Sequence, residues 1–138
     1  MKTKVVSWYL LACCFLLLVA CTPHTNLKIP EVKTFFDDVI KSTNSISKGQ
    51  LKKVDKVYLT VVYSLNTDDF PPKEREAIFE KTRDFFLSPK IRNLIIEQIG
   101  SENELRMFNE GFKIRFQNPK TETYWVYGQV DGELRLIE

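Results

Sequence analysis

Residues 112–136 read FKIRFQNPKTETYWVYGQVDGELRL, and apolar and polar side chains alternate along most of this segment. Alternation with a period of two is typical of β-strands that bury one face. The dipeptide Asp131-Gly132 favours a two-residue hairpin turn, and Asn118-Pro119-Lys120-Thr121 is also a turn sequence. The segment therefore predicts a three-stranded antiparallel meander at the C-terminal end of the chain.

The lengths of the two turns predict which side chains share a face of the meander, because directly paired residues lie on the same face. The expected pairs are Gln129–Leu134, Tyr127–Leu136, Phe116–Thr123, Ile114–Trp125 and Phe112–Tyr127. One face, which should be the core face, then carries Phe112, Ile114, Phe116, Trp125, Tyr127, Leu134 and Leu136. The opposite face carries Lys113, Arg115, Tyr124, Val126 and Arg135.

The preceding residues predict helices and one interior strand. A helix should begin at Pro30, because apolar residues recur every three or four positions, and should continue past Ile46 to a C-terminal cap at Gly49. Residues 56–65 are β-branched and aromatic on both faces, which is typical of an interior strand.

Proline and glycine mark two further helices. Pro71-Pro72 should begin a helix that ends near Leu87, and a helix from Pro89 to Ile99 should stop at Gly100. Residues 101–110 match a helix capping box but could also open a strand; we expect a strand.

The order of these elements predicts an α+β fold with two layers, in which helices cover one face of an antiparallel sheet. A single domain over residues 30–138 accounts for all of them. The element order resembles that of the cystatin-like and nuclear-transport-factor-like roll, in which a curved sheet and long helices enclose a pocket. The resemblance is one of element order and implies no function.

The N-terminus has the features of a secretory signal. Met1-Lys2-Thr3-Lys4 is basic, residues 5–20 are uncharged and mostly apolar, and Leu18-Val19-Ala20-Cys21 follows at the boundary. This tetrapeptide resembles the lipobox of bacterial lipoproteins. The resemblance implies a signal peptide over residues 1–20, acylation of Cys21 with diacylglycerol, and cleavage that makes Cys21 the first residue of the mature protein. Residues 21–29 would then be a tether.

Two other readings of the N-terminus remain open. Ordinary secretory cleavage after Ala20 would place Leu18 where a small residue is preferred, and an uncleaved anchor would need about 17–25 apolar residues. Lipidation implies a location on the extracytoplasmic face of the cell membrane, or in the outer membrane of an organism with two membranes. The acyl chains on Cys21 would bind the bilayer.

Processing would remove most of the residues that common catalytic sites need. Cys13 and Cys14 lie in the signal, Cys21 would be blocked by lipid, and the single histidine, His24, lies close to it. A disulfide, a thiol nucleophile, a serine triad and a Cys- or His-ligated metal site in the folded domain are therefore not expected. We predict no catalytic residues, no metal and no cofactor.

The charged residues suggest partners only in general terms. The full chain has 20 basic and 18 acidic side chains. Nucleic-acid binding is not predicted, because the sequence shows no extended basic face with interleaved aromatic residues. The small basic cluster of Lys48, Lys52, Lys53 and Lys56 is either a solvated segment or a contact for anionic headgroups. The acidic residues Asp68, Asp69, Glu74 and Glu76 lack the regular spacing of a calcium loop.

The candidate binding residues lie on the face of the meander opposite the predicted core: Tyr124, Lys113, Arg115 and Arg135. An aromatic ring flanked by cations favours an acidic ligand or a protein partner. The sequence thus favours a non-catalytic binding or accessory module that binds another envelope protein or a small ligand. The alternative is a small enzyme that uses carboxylates and tyrosines in a pocket between sheet and helices. The oligomeric state is left open.

Overall fold

A computed structural model of the chain describes residues 24–55 and 57–138. The predicted signal peptide and Cys21 lie outside the described residues. The strands are β1 (His24–Asn26), β2 (Ile46–Val54), β3 (Tyr58–Leu65), β4 (Phe112–Gln117), β5 (Tyr124–Val130) and β6 (Glu133–Leu136). The helices are α1 (Pro30–Ser42), α2 (Pro72–Phe86), α3 (Pro89–Ile99) and α4 (Glu104–Asn109).

The described strands form one six-stranded sheet in the order β1-β2-β3-β4-β5-β6. All neighbouring pairs are antiparallel except β3 and β4, which are parallel. Parallel neighbours need a long crossover, and α2, α3 and α4 form it. The predicted α+β fold, with helices followed by a strand meander, is confirmed.

One hydrophobic core lies between the helices and one face of the sheet, which we call the inner face. It contains residues from all four described helices and from β2 to β5. Phe86 of α2 is fully buried at its centre. The ring of Phe86 lies 5.7 Å from that of Phe35, 5.8 Å from that of Phe36 and 6.2 Å from that of Phe112. These contacts join α1, α2 and β4 in one aromatic cluster.

Several predicted elements are confirmed. β3 is interior, between β2 and β4, as expected for a strand that is apolar on both faces. The helix α2 begins at Pro72, and α3 runs from Pro89 to Ile99. Gly100 follows α3 with a φ of 84°, a conformation that favours glycine.

The prediction that the first helix continues past Ile46 is wrong, because α1 ends at Ser42 and Ile46 begins β2. Gly49 is not a helix cap. An added Cβ at this position would lie 2.3 Å from the ring of Phe36, so the glycine allows α1 to pack directly against the strand backbone.

The predicted tether extends too far into the chain. Residues 24–26 form the edge strand β1, which pairs with Lys52–Val54 of β2. Ile29 is 6% exposed and belongs to the core. The fold therefore includes residues 24–29, which precede Pro30.

The strand expected in residues 101–110 is also wrong, because residues 104–109 form the short helix α4. Met107 and Phe108 of this helix are buried in the core. The N–H of Gly111 donates to the carbonyl of Arg106, and β4 begins one residue later.

The faces of the meander are as predicted, but one register is not. Gln129 pairs with Leu134 and Tyr127 with Leu136, as expected. Between β4 and β5, however, Phe116 pairs with Trp125 and Ile114 with Tyr127, a shift of two residues. A shift of two keeps every side chain on its predicted face. At the margin of the sheet Leu136 is 46% exposed, so the core does not extend that far.

Candidate functional site

The face of the sheet opposite the helices, which we call the outer face, takes no part in the core. The register places Lys52, Thr60, Lys113, Gly128 and Arg135 in one row across this face from β2 to β6. Val62 and Val126, one row further along, are buried but do not belong to the core cluster. The outer face therefore has a small apolar floor of its own.

The structure brings together two of the four predicted binding residues. The guanidinium of Arg115 lies 4.6 Å from the ring centroid of Tyr124, a cation–π distance. The ammonium of Lys113 instead lies 5.5 Å from the ring of Tyr58 on β3. Arg135 is on the same face but forms an ion pair of 2.7 Å with Glu133 on its own strand. Arg115 and Lys113 are therefore the cations most available to a ligand on this face.

A shallow cavity of about 350 Å³ lies in the middle of the outer face. Its floor is formed by Thr60, Val62 and Val126, and Lys52, Lys113 and Arg115 lie around it. Glu138 is the one carboxylate side chain that lines it. Three cations thus surround a cavity with a partly apolar floor, an arrangement suited to an anion that carries an apolar group.

Arg115, which lines this cavity, has a buried hydrogen-bond donor without a partner in the described part of the chain. Its Nε atom is shielded from solvent and has no hydrogen-bond partner among residues 24–55 and 57–138. A buried donor without a partner is destabilising, by about 1–3 kcal/mol and more when the group is charged. The planar guanidinium that carries this donor belongs to a residue lining the cavity, and such a group fits carboxylate and phosphate oxygens well.

The outer face as a whole is basic. Its cations are Lys48, Lys52, Lys113, Arg115 and Arg135, and the carboxylates with them are Glu133 and Glu138. The basic cluster seen in the sequence is divided by strand alternation, because Lys53 points to the face opposite Lys48 and Lys52. Lys56 lies outside the described residues.

Sequence reasoning missed the part of the site that β2 and β3 provide. The alternation of β3 already places Tyr58, Thr60 and Val62 on one face, so that signal was present. The neighbour of β4 could not be identified, however, because β3 and β4 are separated by three helices along the chain. Lys52 was named in the basic cluster of the sequence but was not placed on this face, because the first helix was expected to extend to Gly49 and the strand β2 was not predicted.

Acidic residues in the stretch after β3 accept hydrogen bonds from side chains elsewhere in the fold. Asp68 accepts hydrogen bonds from Thr121 and from the Nδ2 of Asn118, and these bonds hold the pKa of its carboxyl below the usual range. Glu74 accepts a hydrogen bond from Thr43. Within the described ranges, no group of three His, Cys, Asp or Glu side chains is placed to hold a metal ion.

The strongest candidate for enzyme chemistry is Tyr127, because its hydroxyl lies between the carboxylate of Glu76 and the guanidinium of Arg75. Its hydroxyl donates to Glu76 over 2.6 Å and accepts from the Nε of Arg75 over 3.2 Å. Burial, and next the bond to Glu76, raises the pKa of Tyr127 to about 12. The hydroxyl therefore stays protonated at neutral pH, and its bonds join α2 to β5.

Comparisons with protein-family models, curated proteins and solved structures found no match to this chain. Its function therefore has to be argued from its own residues. In the part of the chain that the structure describes, no helix is both long and apolar enough to cross a membrane.

Proposed function

We propose that this protein is a lipid-anchored, non-catalytic binding module of the bacterial cell envelope, and that its outer face binds an anionic partner. The partner is another envelope protein or a small ligand that presents a carboxylate or phosphate. The observation that carries the binding proposal is the guanidinium of Arg115, whose Nε–H has no partner among residues 24–55 and 57–138, beside a cavity lined by three cations.

The lipid anchor is supported by the resemblance of Leu18-Val19-Ala20-Cys21 to a lipobox. The strand β1 includes His24, three residues after Cys21. Three residues span at most about 10 Å. An acylated Cys21 would therefore hold the domain close to the bilayer surface, where Lys52 and the other outer-face cations would also attract anionic molecules.

The geometry favours binding over catalysis. Arg115 and Tyr124 form a cation–π pair that can bind a planar anion without chemistry, and Val62 and Val126 provide an apolar contact on the same face. The carboxylate–tyrosine pair that an enzyme would need is Glu76 and Tyr127, whose hydrogen bonds to each other and to Arg75 are already formed.

Anion binding can be tested directly on the full chain purified in detergent. Titration with succinate or inorganic phosphate should give a saturable NMR shift of the Arg115 Nε–H. Arg115→Gln should weaken binding by about 10-fold to 100-fold, the range expected for a lost charged hydrogen bond. Lys120→Gln, an exposed substitution in the β4–β5 loop, is the matched control and should leave the affinity unchanged. If neither anion shifts Arg115, the binding proposal is wrong.

Lipidation has a separate test. Mass spectrometry of the protein recovered from bacterial membranes should find an acylated chain that begins at Cys21. Cys21→Ala should leave an unacylated precursor of full length. Recovery of the wild-type chain without lipid, or with another first residue, would contradict the anchor while leaving the binding proposal intact.

A further inference from the structure

A second concave region lies near the β1 edge of the sheet, between α1 and β2, and we call it the α1–β2 groove. Its volume is about 630 Å³, the largest among the clefts described here. Its walls are mainly apolar and include Leu27, Ile29, Val32, Phe36, Ile40 and Leu51. It shares only Asn26, Lys48 and Gln50 with the outer face, and it lies mainly on the helix side of the strand.

The floor of this groove runs along a strand edge that has no partner strand among residues 24–55 and 57–138. β1 pairs only with Lys52–Val54, and the last contact is the N–H of Leu27, which donates to the carbonyl of Leu51 over 2.9 Å. Alternate residues of a strand point their N–H and C=O groups to the same edge. The N–H and C=O groups of Gly49 therefore point to the same edge of β2 as those of Leu51, and Gly49 lies beyond the end of β1. This edge is a template for a further strand.

Gly49 also shapes the groove, because it lets the ring of Phe36 approach the strand backbone. An ideal Cβ at Gly49 would lie 2.3 Å from that ring. The apolar wall of α1 therefore begins directly beside the free backbone groups. A strand that pairs with β2 could place alternate side chains against α1, which is how peptides bind by strand addition next to a helix.

The charges at this edge identify the chemistry of the occupant. β2 carries Lys48, Lys52 and Lys53 and no acidic residue. In the groove, Lys28, Lys33 and Lys48 accompany a single acid, Asp37, which already pairs with Lys33 over 2.7 Å. A second copy of β2 would bring lysines opposite lysines, which is unfavourable. An acidic strand is complementary.

We infer that the α1–β2 groove binds an extended segment of a partner protein in which apolar side chains alternate with Asp or Glu. The segment pairs with β2 over Lys48–Gln50, beyond the contact between Leu27 and Leu51, places its apolar side chains between Ile40 and Leu51, and points its carboxylates towards Lys48. This inference concerns a different surface from the anion cavity of the outer face and does not depend on lipidation.

The probe for this inference is an eight-residue peptide in which Val and Glu alternate, with blocked ends, added to the full chain in detergent. Hydrogen exchange at the Gly49 amide should slow when the peptide binds, because its N–H gains a partner. A peptide N-methylated at alternate residues keeps the side chains but cannot pair on that edge, and it should bind about 10-fold or more weakly. A peptide with Lys in place of Glu should also bind more weakly.

Two variants test the groove itself. Lys48→Glu should weaken binding of the Glu peptide by about threefold to tenfold and strengthen binding of the Lys peptide. Ile40→Asp should weaken binding of both, and an unchanged circular dichroism spectrum would verify its fold. Lys120→Glu is the control for a general change of charge. Equal affinity for the parent and N-methylated peptides would overturn the inference. So would a dimeric chain in which the Gly49 amide is already protected, because a second copy would then occupy the edge.

Discussion

Tyr63 and Thr82 form a buried hydrogen bond whose direction can be deduced, and this gives a quantitative prediction. Both residues are fully buried, and the distance between the two hydroxyl oxygens is 2.7 Å. Thr82 has one hydroxyl proton, which it donates to the carbonyl of Ile78 over 2.6 Å. Tyr63 must therefore be the donor to Thr82.

Because of this direction, the two single substitutions should lower the free energy of unfolding by different amounts. Tyr63→Phe removes a donor but leaves the Thr82 hydroxyl bonded to Ile78, so it should cost about 0.5–1.5 kcal/mol. Thr82→Val has nearly the same shape but leaves the Tyr63 hydroxyl buried without an acceptor, so it should cost about 1–3 kcal/mol. In the double variant no donor is left unpaired. It should cost about 1 kcal/mol less than the sum of the two single costs.

Urea unfolding of residues 22–138 at pH 7, followed by circular dichroism, measures all four free energies. The control is Ser47→Ala, which removes an exposed hydroxyl bonded to Ser64 on the sheet edge and should cost less than about 0.5 kcal/mol. Costs that add to within about 0.3 kcal/mol would refute the argument, because independent sites add in that way. A larger cost for Tyr63→Phe than for Thr82→Val would refute the direction of the bond.

Three further predictions concern the whole domain. Burial raises the pKa of Tyr127 to about 12 and also raises the pKa of Tyr63. The contribution of these two tyrosines to stability should therefore be complete below about pH 10 and lost as the pH rises towards 12. Urea midpoints at pH 8 and pH 11 measure this loss, and Tyr127→Phe should reduce the difference between the two midpoints. Gly111→Ala should lower the free energy of unfolding by more than about 2 kcal/mol, because the new Cβ would lie 1.9 Å from the carbonyl oxygen of Val57. Gly128→Ala should lower it by less in the same assay, because the new Cβ meets only the movable side chain of Ile137. The urea midpoint of residues 22–138 should not change with a chelator or a reductant, because the folded part has no cysteine; a fall of the midpoint with a chelator would reveal a structural metal.

The sequence alone determined the elements whose signals are local. Pro72, Pro89 and Gly100 mark helix ends through their own backbone geometry, so α2 and α3 were predicted almost to the residue. The alternation in β4, β5 and β6 assigned each side chain to a face, since a register shift of two residues does not change the parity. For that reason Arg115 and Tyr124 were correctly expected on the side away from the core.

Tertiary structure decided what the local pattern leaves ambiguous. β2 contains Gly49 and three lysines, a weak strand pattern, and it forms a strand because β3 pairs along its whole length and Phe36 packs on its glycine. The β4–β5 loop is longer than the turn sequence indicates, and Asp68, which lies about 50 residues earlier in the chain, accepts hydrogen bonds from Asn118 and Thr121 of this loop. The parallel pairing of β3 with β4 joins Tyr58 to Lys113. Contacts between residues far apart in the chain determine these features, and a local sequence pattern carries no information about such contacts.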